Sequence, residues 1–251
     1  MIAVAAVVVV AAVVAAAVTT VVKDTVEKIE DAVEDAAEEE PEPKPSPKPR
    51  GTGDDDDDDS SCGWVQHGAQ DAANGNRATS VSACLDKDYL ATHKGSSTDV
   101  KTVAPPGYQW AQRVAGHLGV DPSKNINACH LLGNQLSGSG TDLNNLANCA
   151  RGANDWQNGS DQGSNNMKNY ENQVAEAVNA GGQEVMYSVT AHYTGNRTVP
   201  NGFTLTAYGT NPDGTPGIRI DEFIPNTLKG NNLGMYNHHT TGAPIPTGSM
   251  P

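Results

Sequence analysis

The order of apolar and polar positions divides the chain near residue 61. Residues 2–22 (IAVAAVVVVAAVVAAAVTTVV) are an almost unbroken Ala/Val run. As a helix this run is long enough to cross a hydrocarbon core of about 30 Å. No basic stretch precedes it, and it exceeds the usual apolar core of a leader peptide, so a transmembrane anchor is the first reading. A cleaved leader is the second, and a packed helix of a longer parent protein the third. Val22, Val26, Ile29 and Val33 carry one apolar face on through the acidic segment 23–40, which reads as a helical stalk. Residues 41–61 (PEPKPSPKPRGTGDDDDDDSS) alternate proline with charge and then run through six aspartates, Asp54 to Asp59. Such a stretch repels itself and stays solvated, which makes it an extended linker.

From Cys62 onward short apolar runs are separated by Gly, Asn, Ser and Thr. RATSVSACL (77–85) alternates as a strand does. Residues 94–107 form a loop closed by Pro105, Pro106 and Gly107, and YQWAQRVAGHLG (108–119) reads as a short helix. NACHLLGNQL (127–136) is a strand or a tightly turned apolar segment, SGSGTD (137–142) an exposed turn, and LNNLANC (143–149) a return strand leading towards a helix. Residues 167–181 place Val174, Ala177 and Val178 on one helical face and stop at Gly181–Gly182. EVMYSVTAHYTG (184–195) puts Val185, Tyr187, Val189 and Ala191 on one strand face. FTLTAYGT (203–210) is its antiparallel partner, and GIRIDEFIPN (217–226) is a third strand. The fold class that follows is α+β, a central antiparallel sheet with helices to one side. Its domain spans residues 62–251, with a core at about 77–226.

Charge separates along the same boundary. Residues 1–61 carry sixteen Asp/Glu against five Lys/Arg, a net of −11, while residues 62–251 carry fourteen against eleven, a net of −3. The acidity of the whole chain would oppose a polyanionic partner, since phosphate binding is driven by Lys/Arg and counterion release. With the acidic arm set aside that objection weakens, although no strongly basic patch replaces it. The four cysteines (Cys62, Cys84, Cys129, Cys149) lack CxxC spacing, which argues against zinc and leaves two disulfides or four buried thiols. No GxGxxG or GxxxxGK[ST] phosphate loop occurs.

His130 lies between apolar neighbours beside a Gly/Ser-rich turn. A lone histidine in such a place is more often structural. Here the return strand would lie alongside it, the following helix would carry Asn154, and the next helix would bring Glu171 directly after Tyr170. His67, His93, His117 and His192 lack partners at ligand spacing, and His238–His239 read as surface residues.

NACHLLGNQLSGSGTD, LNNLANCARGAN, NYENQV, VMYSVTAHYTG and EFIPN follow one another in an order and spacing that resembles the DNA/RNA non-specific endonuclease family. This is a group of ββα-metal (His-Me finger) nucleases, and the likeness is to its bacterial secreted and toxin-associated branch. It covers about Arg77 to Asn226. The resemblance implies a ββα-metal active-site motif and hydrolysis of phosphodiester bonds in DNA and/or RNA. It makes His130 the general base, a task suited to an imidazole with an ordinary pKa of about 6.5. It makes Asn154 the protein ligand of Mg²⁺ (or Mn²⁺), with Glu171 near the metal. Asn145 would support the histidine or the phosphate. Asn127 takes the family's Asp/Asn position, Cys129 its small-residue position, and Ala128 stands where many members have arginine. Arg151 is the candidate replacement cation. On the implied hairpin Cys129 pairs with Cys149, which leaves Cys62 for Cys84. Further expectations are a membrane contact through residues 2–22, a membrane-anchored or secreted bacterial extracellular location, and a cognate immunity protein if the chain is a toxin domain. The competing reading is a catalytically inactive, membrane-tethered nucleic-acid-binding or adhesion module.

Overall fold

A computed structural model describes residues 62–155 and 165–236. The anchor, stalk and linker segments (2–22, 23–40 and 41–61) and His238–His239 lie outside the described residues. Among the described residues, no helix is long and apolar enough to cross a membrane. In chain order the elements are β1 (Trp64–His67), β2 (Ser80–Leu85), α1 (Lys87–Thr92), α2 (Tyr108–His117), α3 (Pro122–Asn125), β3 (Ile126–His130), β4 (Leu146–Ala150) and α4 (Arg151–Asn154). They continue with α5 (Met167–Asn179), β5 (Glu184–His192), β6 (Gly202–Thr210), β7 (Pro216–Pro225), β8 (Thr227–Leu228) and β9 (Asn231–Asn232).

The central sheet has the order β1-β2-β5-β6-β7, and every neighbouring pair is antiparallel. Strict alternation builds it: Val185, Tyr187, Val189 and Ala191 of β5 are buried, while the residues between them face outward. Met167, Val174 and Val178 of α5 join the same apolar core as Phe203, Leu205 and Ile220. The helix starts where Asn166 caps it, its side chain accepting from the Asn169 N–H at 2.9 Å.

β3 and β4 form a separate two-stranded hairpin with Ile126 opposite Ala150 and His130 opposite Leu146. The pleat gives its residues to two different cores. Cys129, Ala147 and Cys149 belong to the core under the large sheet. Ile126, Ala128 and Ala150 belong to a second core with Tyr108, Trp110, Val114, Val199, Leu228 and Leu233.

Within the 62–251 segment, β1 pairs with β2 and Cys62 is bonded to Cys84 across a Cα separation of 4.9 Å. Beyond residue 226, Leu228 and Leu233 complete the second core. One sequence-based expectation needs correction: the 137–142 turn is only partly exposed. Gly138 and Gly140 are buried, and a Cβ at Gly138 would strike the Leu132 carbonyl.

Candidate active site

His130 ends β3, and strand alternation puts its ring on the same face as Ala128. Asn127 and Cys129 take the opposite face, so Asn127 does not share the histidine's surroundings. The His130 Nε2 lies 3.1 Å from the Ser96 carbonyl and 3.4 Å from Thr98 Oγ1. Burial pushes the imidazole pKa below its ordinary value, while the contact with Ser96 works in the other direction. In the neutral ring only an N–H can face a carbonyl oxygen, so Nε2 carries the proton and Nδ1 the lone pair.

The turn that follows is organised by Asn145, which is fully buried. Its Oδ1 accepts from the Leu132 N–H at 2.9 Å, and its Nδ2 donates to the Leu132 and Ser139 carbonyls, each at 3.0 Å. His67 Nε2 stands 3.3 Å from the same Oδ1. Asn145 therefore acts on the backbone just beyond His130, and its amide is not open to a phosphate. His67, which has no partner readable from the sequence, gains this one because β1 joins the sheet. Tyr187 adds a further tie from β5, its hydroxyl donating to the Leu131 carbonyl at 3.1 Å.

Glu171 lies on α5 with only 5% of its surface exposed. Gln135 donates to its Oε2 at 2.8 Å, whereas Oε1 has no hydrogen-bond partner. Removal from water raises its pKa to about 8; the Gln135 bond and the Lys168 charge oppose the rise, and Asp155 adds to it. Gly133 backs onto this carboxylate so closely that a Cβ there would collide with it. The turn between β3 and β4 thus touches His130 at one end and Glu171 on its side.

Asn154 closes α4, the short helix that packs on β3, β4 and α5. The start of that helix is set from a distance. Asn226, fully buried, accepts from the Ala150 N–H at 2.7 Å and donates to the Asn148 and Pro200 carbonyls at 3.1 and 2.8 Å. Arg151 opens α4 and faces Asp155 at 3.8 Å, and Lys168 reaches the same carboxylate at 3.1 Å. Ala128 is buried among apolar residues of the second core. Cys129 and Cys149 are bonded diagonally across the hairpin, Cα atoms 5.9 Å apart, within the usual range for a disulfide.

Among the described residues no group of three or more His, Cys, Asp or Glu could hold a metal ion. The groups on offer are an amide and a buried carboxylate with one unpartnered oxygen. That set suits a hard cation which keeps much of its water. Ser96 has no distinguishing pattern in the sequence, and Gln135 and Asn226 lie in the NACHLLGNQLSGSGTD and EFIPN runs without a role that the sequence assigns them.

Compared with family models, the chain matches that of the DNA/RNA non-specific endonuclease over residues 60–211. No curated protein sequence matches it. Among solved structures it is similar to NucA from Streptococcus agalactiae with no metal bound, at 24% identity and TM-score 0.46, covering 66% of this chain and 71% of that one. It is also similar to an extracellular endonuclease at 22% identity and TM-score 0.46, covering 68% and 83% respectively. Sda1 nuclease with bound zinc ion is similar at 18% identity and TM-score 0.47, covering 67% and 76%.

Proposed function

The chain belongs to the DNA/RNA non-specific endonuclease family, and on that premise we propose a divalent-metal-dependent phosphodiester hydrolase with His130 as its general base. The observation that carries the reading is the 3.1 Å contact from His130 Nε2 to the Ser96 carbonyl. It leaves Nδ1 free to take the proton of the attacking water, in a ring that burial keeps neutral. Asn154 and Glu171 would hold Mg²⁺ or Mn²⁺. The fit rests on Glu171 Oε1, a buried carboxylate oxygen without a hydrogen-bond partner, whose ionised form a nearby cation would stabilise. When bound, the ion offsets charge developing on the phosphate and on the leaving oxygen. Asn145 keeps His130 in place through the Leu132 backbone, and Arg151 takes the phosphate-facing role that Ala128 leaves open.

Residues 62–251 are the nuclease domain in this reading, with residues 1–22 as anchor or leader and 23–61 as stalk and spacer. The two disulfides fit an oxidising compartment and hence export. A toxin role with a cognate immunity protein belongs to the same reading. Ala128, apolar where many relatives carry arginine, favours the alternative of an inactive nucleic-acid-binding or adhesion module.

The two readings separate on incubating the full-length protein with plasmid DNA and with RNA, in Mg²⁺, in Mn²⁺ and in EDTA. Both polymers should be cut with metal and spared in EDTA, and His130→Ala should lower the rate about 10³-fold. Intact substrates under every metal would leave the inactive module as the reading. A His130→Ala protein cutting at the parent rate would remove the base assignment.

A further inference from the structure

Residues 93–98 form a strap without regular secondary structure, and it is fastened to the 133–140 turn along its length. Ser137 Oγ donates to the His93 carbonyl at 2.6 Å, and the Ser96 N–H donates to the Gly138 carbonyl at 3.0 Å. The Gly140 N–H donates back to Ser96 Oγ at 2.8 Å. The two segments also lie in close contact. A Cβ at Gly95 would collide with the Asn134 carbonyl, and one at Gly140 with the backbone of Ser97. Ser96 is therefore gripped through both its N–H and its hydroxyl by one side of the turn, while its carbonyl faces the ring of His130.

We propose that Ser96 is a positioning residue for the general base. Its hydroxyl, held by the Gly140 N–H, fixes the direction of its own carbonyl, and that carbonyl fixes the His130 ring through Nε2. The inference rests on the assignment of His130 given above. A histidine ring turns about its last side-chain bond with little resistance. Without an anchor on Nε2, Nδ1 would point at the reactive position for only part of the time. The orientation of a base matters at this scale, because small misplacements of a reacting group cost large factors in rate. Thr98, 3.4 Å from the same nitrogen, is too far to replace the carbonyl as a strong partner. The turn thus holds the histidine twice: Asn145 fixes the backbone after it, and Ser96 fixes the ring.

The test uses the full-length chain and two readouts. In metal-free parent protein the His130 Nε2–H proton should give a resolved, slowly exchanging NMR resonance, assigned by its absence in His130→Ala. Ser96→Ala should broaden that resonance and lower kcat about tenfold, with KM within twofold of the parent. Ser96→Thr keeps the hydroxyl and should restore both. Gly140→Ala, which forces the strap away, should repeat the effect of Ser96→Ala more strongly. A sharp resonance with parental kcat in Ser96→Ala overturns the proposal. A lowered kcat with the resonance intact also overturns it, because the loss would then be merely structural. So does a lost resonance with kcat unchanged. A parent protein that cuts nothing would defeat the general-base reading, while the resonance would still decide whether Ser96 holds the ring.

Discussion

Along β5 every second side chain from Val185 to Ala191 is buried against apolar neighbours, whereas the turn from Leu131 to Asn145 is tied by hydrogen bonds to several distant elements. Those ties come from Tyr187 of β5, Ser96 of the strap and Glu171 of α5. Apolar burial is non-directional and roughly proportional to area, so the sheet depends on which positions are apolar more than on which residue fills each. A hydrogen-bonded turn depends on individual atoms, and a group left unpaired in the interior carries the full desolvation penalty. The candidate site lies in the second kind of region and is backed by the first.

The contrast is sharpest at Glu171, a carboxyl buried in the polar region. Its folded pKa of about 8 lies above the ordinary 4.5, so the folded protein binds more protons than the unfolded chain between those values. The associated stability is complete below about pH 4.5 and declines until the pH passes 8. Across that window the metal-free protein should lose roughly 5 kcal/mol. Urea unfolding at several pH values in EDTA measures the slope. Glu171→Gln should flatten it and divalent metal should reduce it; a slope unchanged in Glu171→Gln would assign it to other groups.

Asn145→Ala attacks the turn directly. It strands the Leu132 N–H and two carbonyls, and should cost about 3 kcal/mol together with most of the activity of the folded fraction. Val189→Ala is the matched cut in the sheet. It should cost about 2 kcal/mol yet leave kcat of the folded protein within twofold. Denaturant midpoints and rates on the same preparations give both comparisons. Equal loss of kcat in the two variants would erase the distinction between the regions.

The finest effect concerns His130. Its lowered pKa should move the acid limb of kcat/KM to below the ordinary histidine value of about 6.5. Protonation in acid removes the base, so activity falls as pH falls through the limb. Ser96→Ala tests how much of the limb's position depends on the strap, since loosening the carbonyl contact that stabilises the protonated ring should push it slightly further down.

Much of this was legible in residue order. The period-two runs of β5 and β6, the amphipathic α5 and the short α2 match their expected segments closely, because each satisfies its own local rule. His130 and Glu171, picked out in sequence by their neighbours, meet the same turn. Asn127 reads as part of that group only until the pleat is applied, which turns it to the opposite face of β3. Arg151 reads as a replacement cation, and folding gives it Asp155 as a neighbour. Ser96 and His67 carry no local mark at all, and Asn226 is marked only as the end of the EFIPN run. Their partners lie 34, 78 and 76 residues away along the chain.

The sequence by itself determined the α+β class and the strand faces, which follow from local periodicity acting over a few residues. The roles of the candidate histidine and carboxylate, and the cysteine pairing, entered only as what the family likeness implies. Tertiary structure alone decided which nitrogen of His130 faces a carbonyl, which carboxylate oxygen of Glu171 lacks a partner, and which loop meets the His130 ring. Those outcomes depend on desolvation and on hydrogen-bond direction, quantities that exist only once distant segments share one interior.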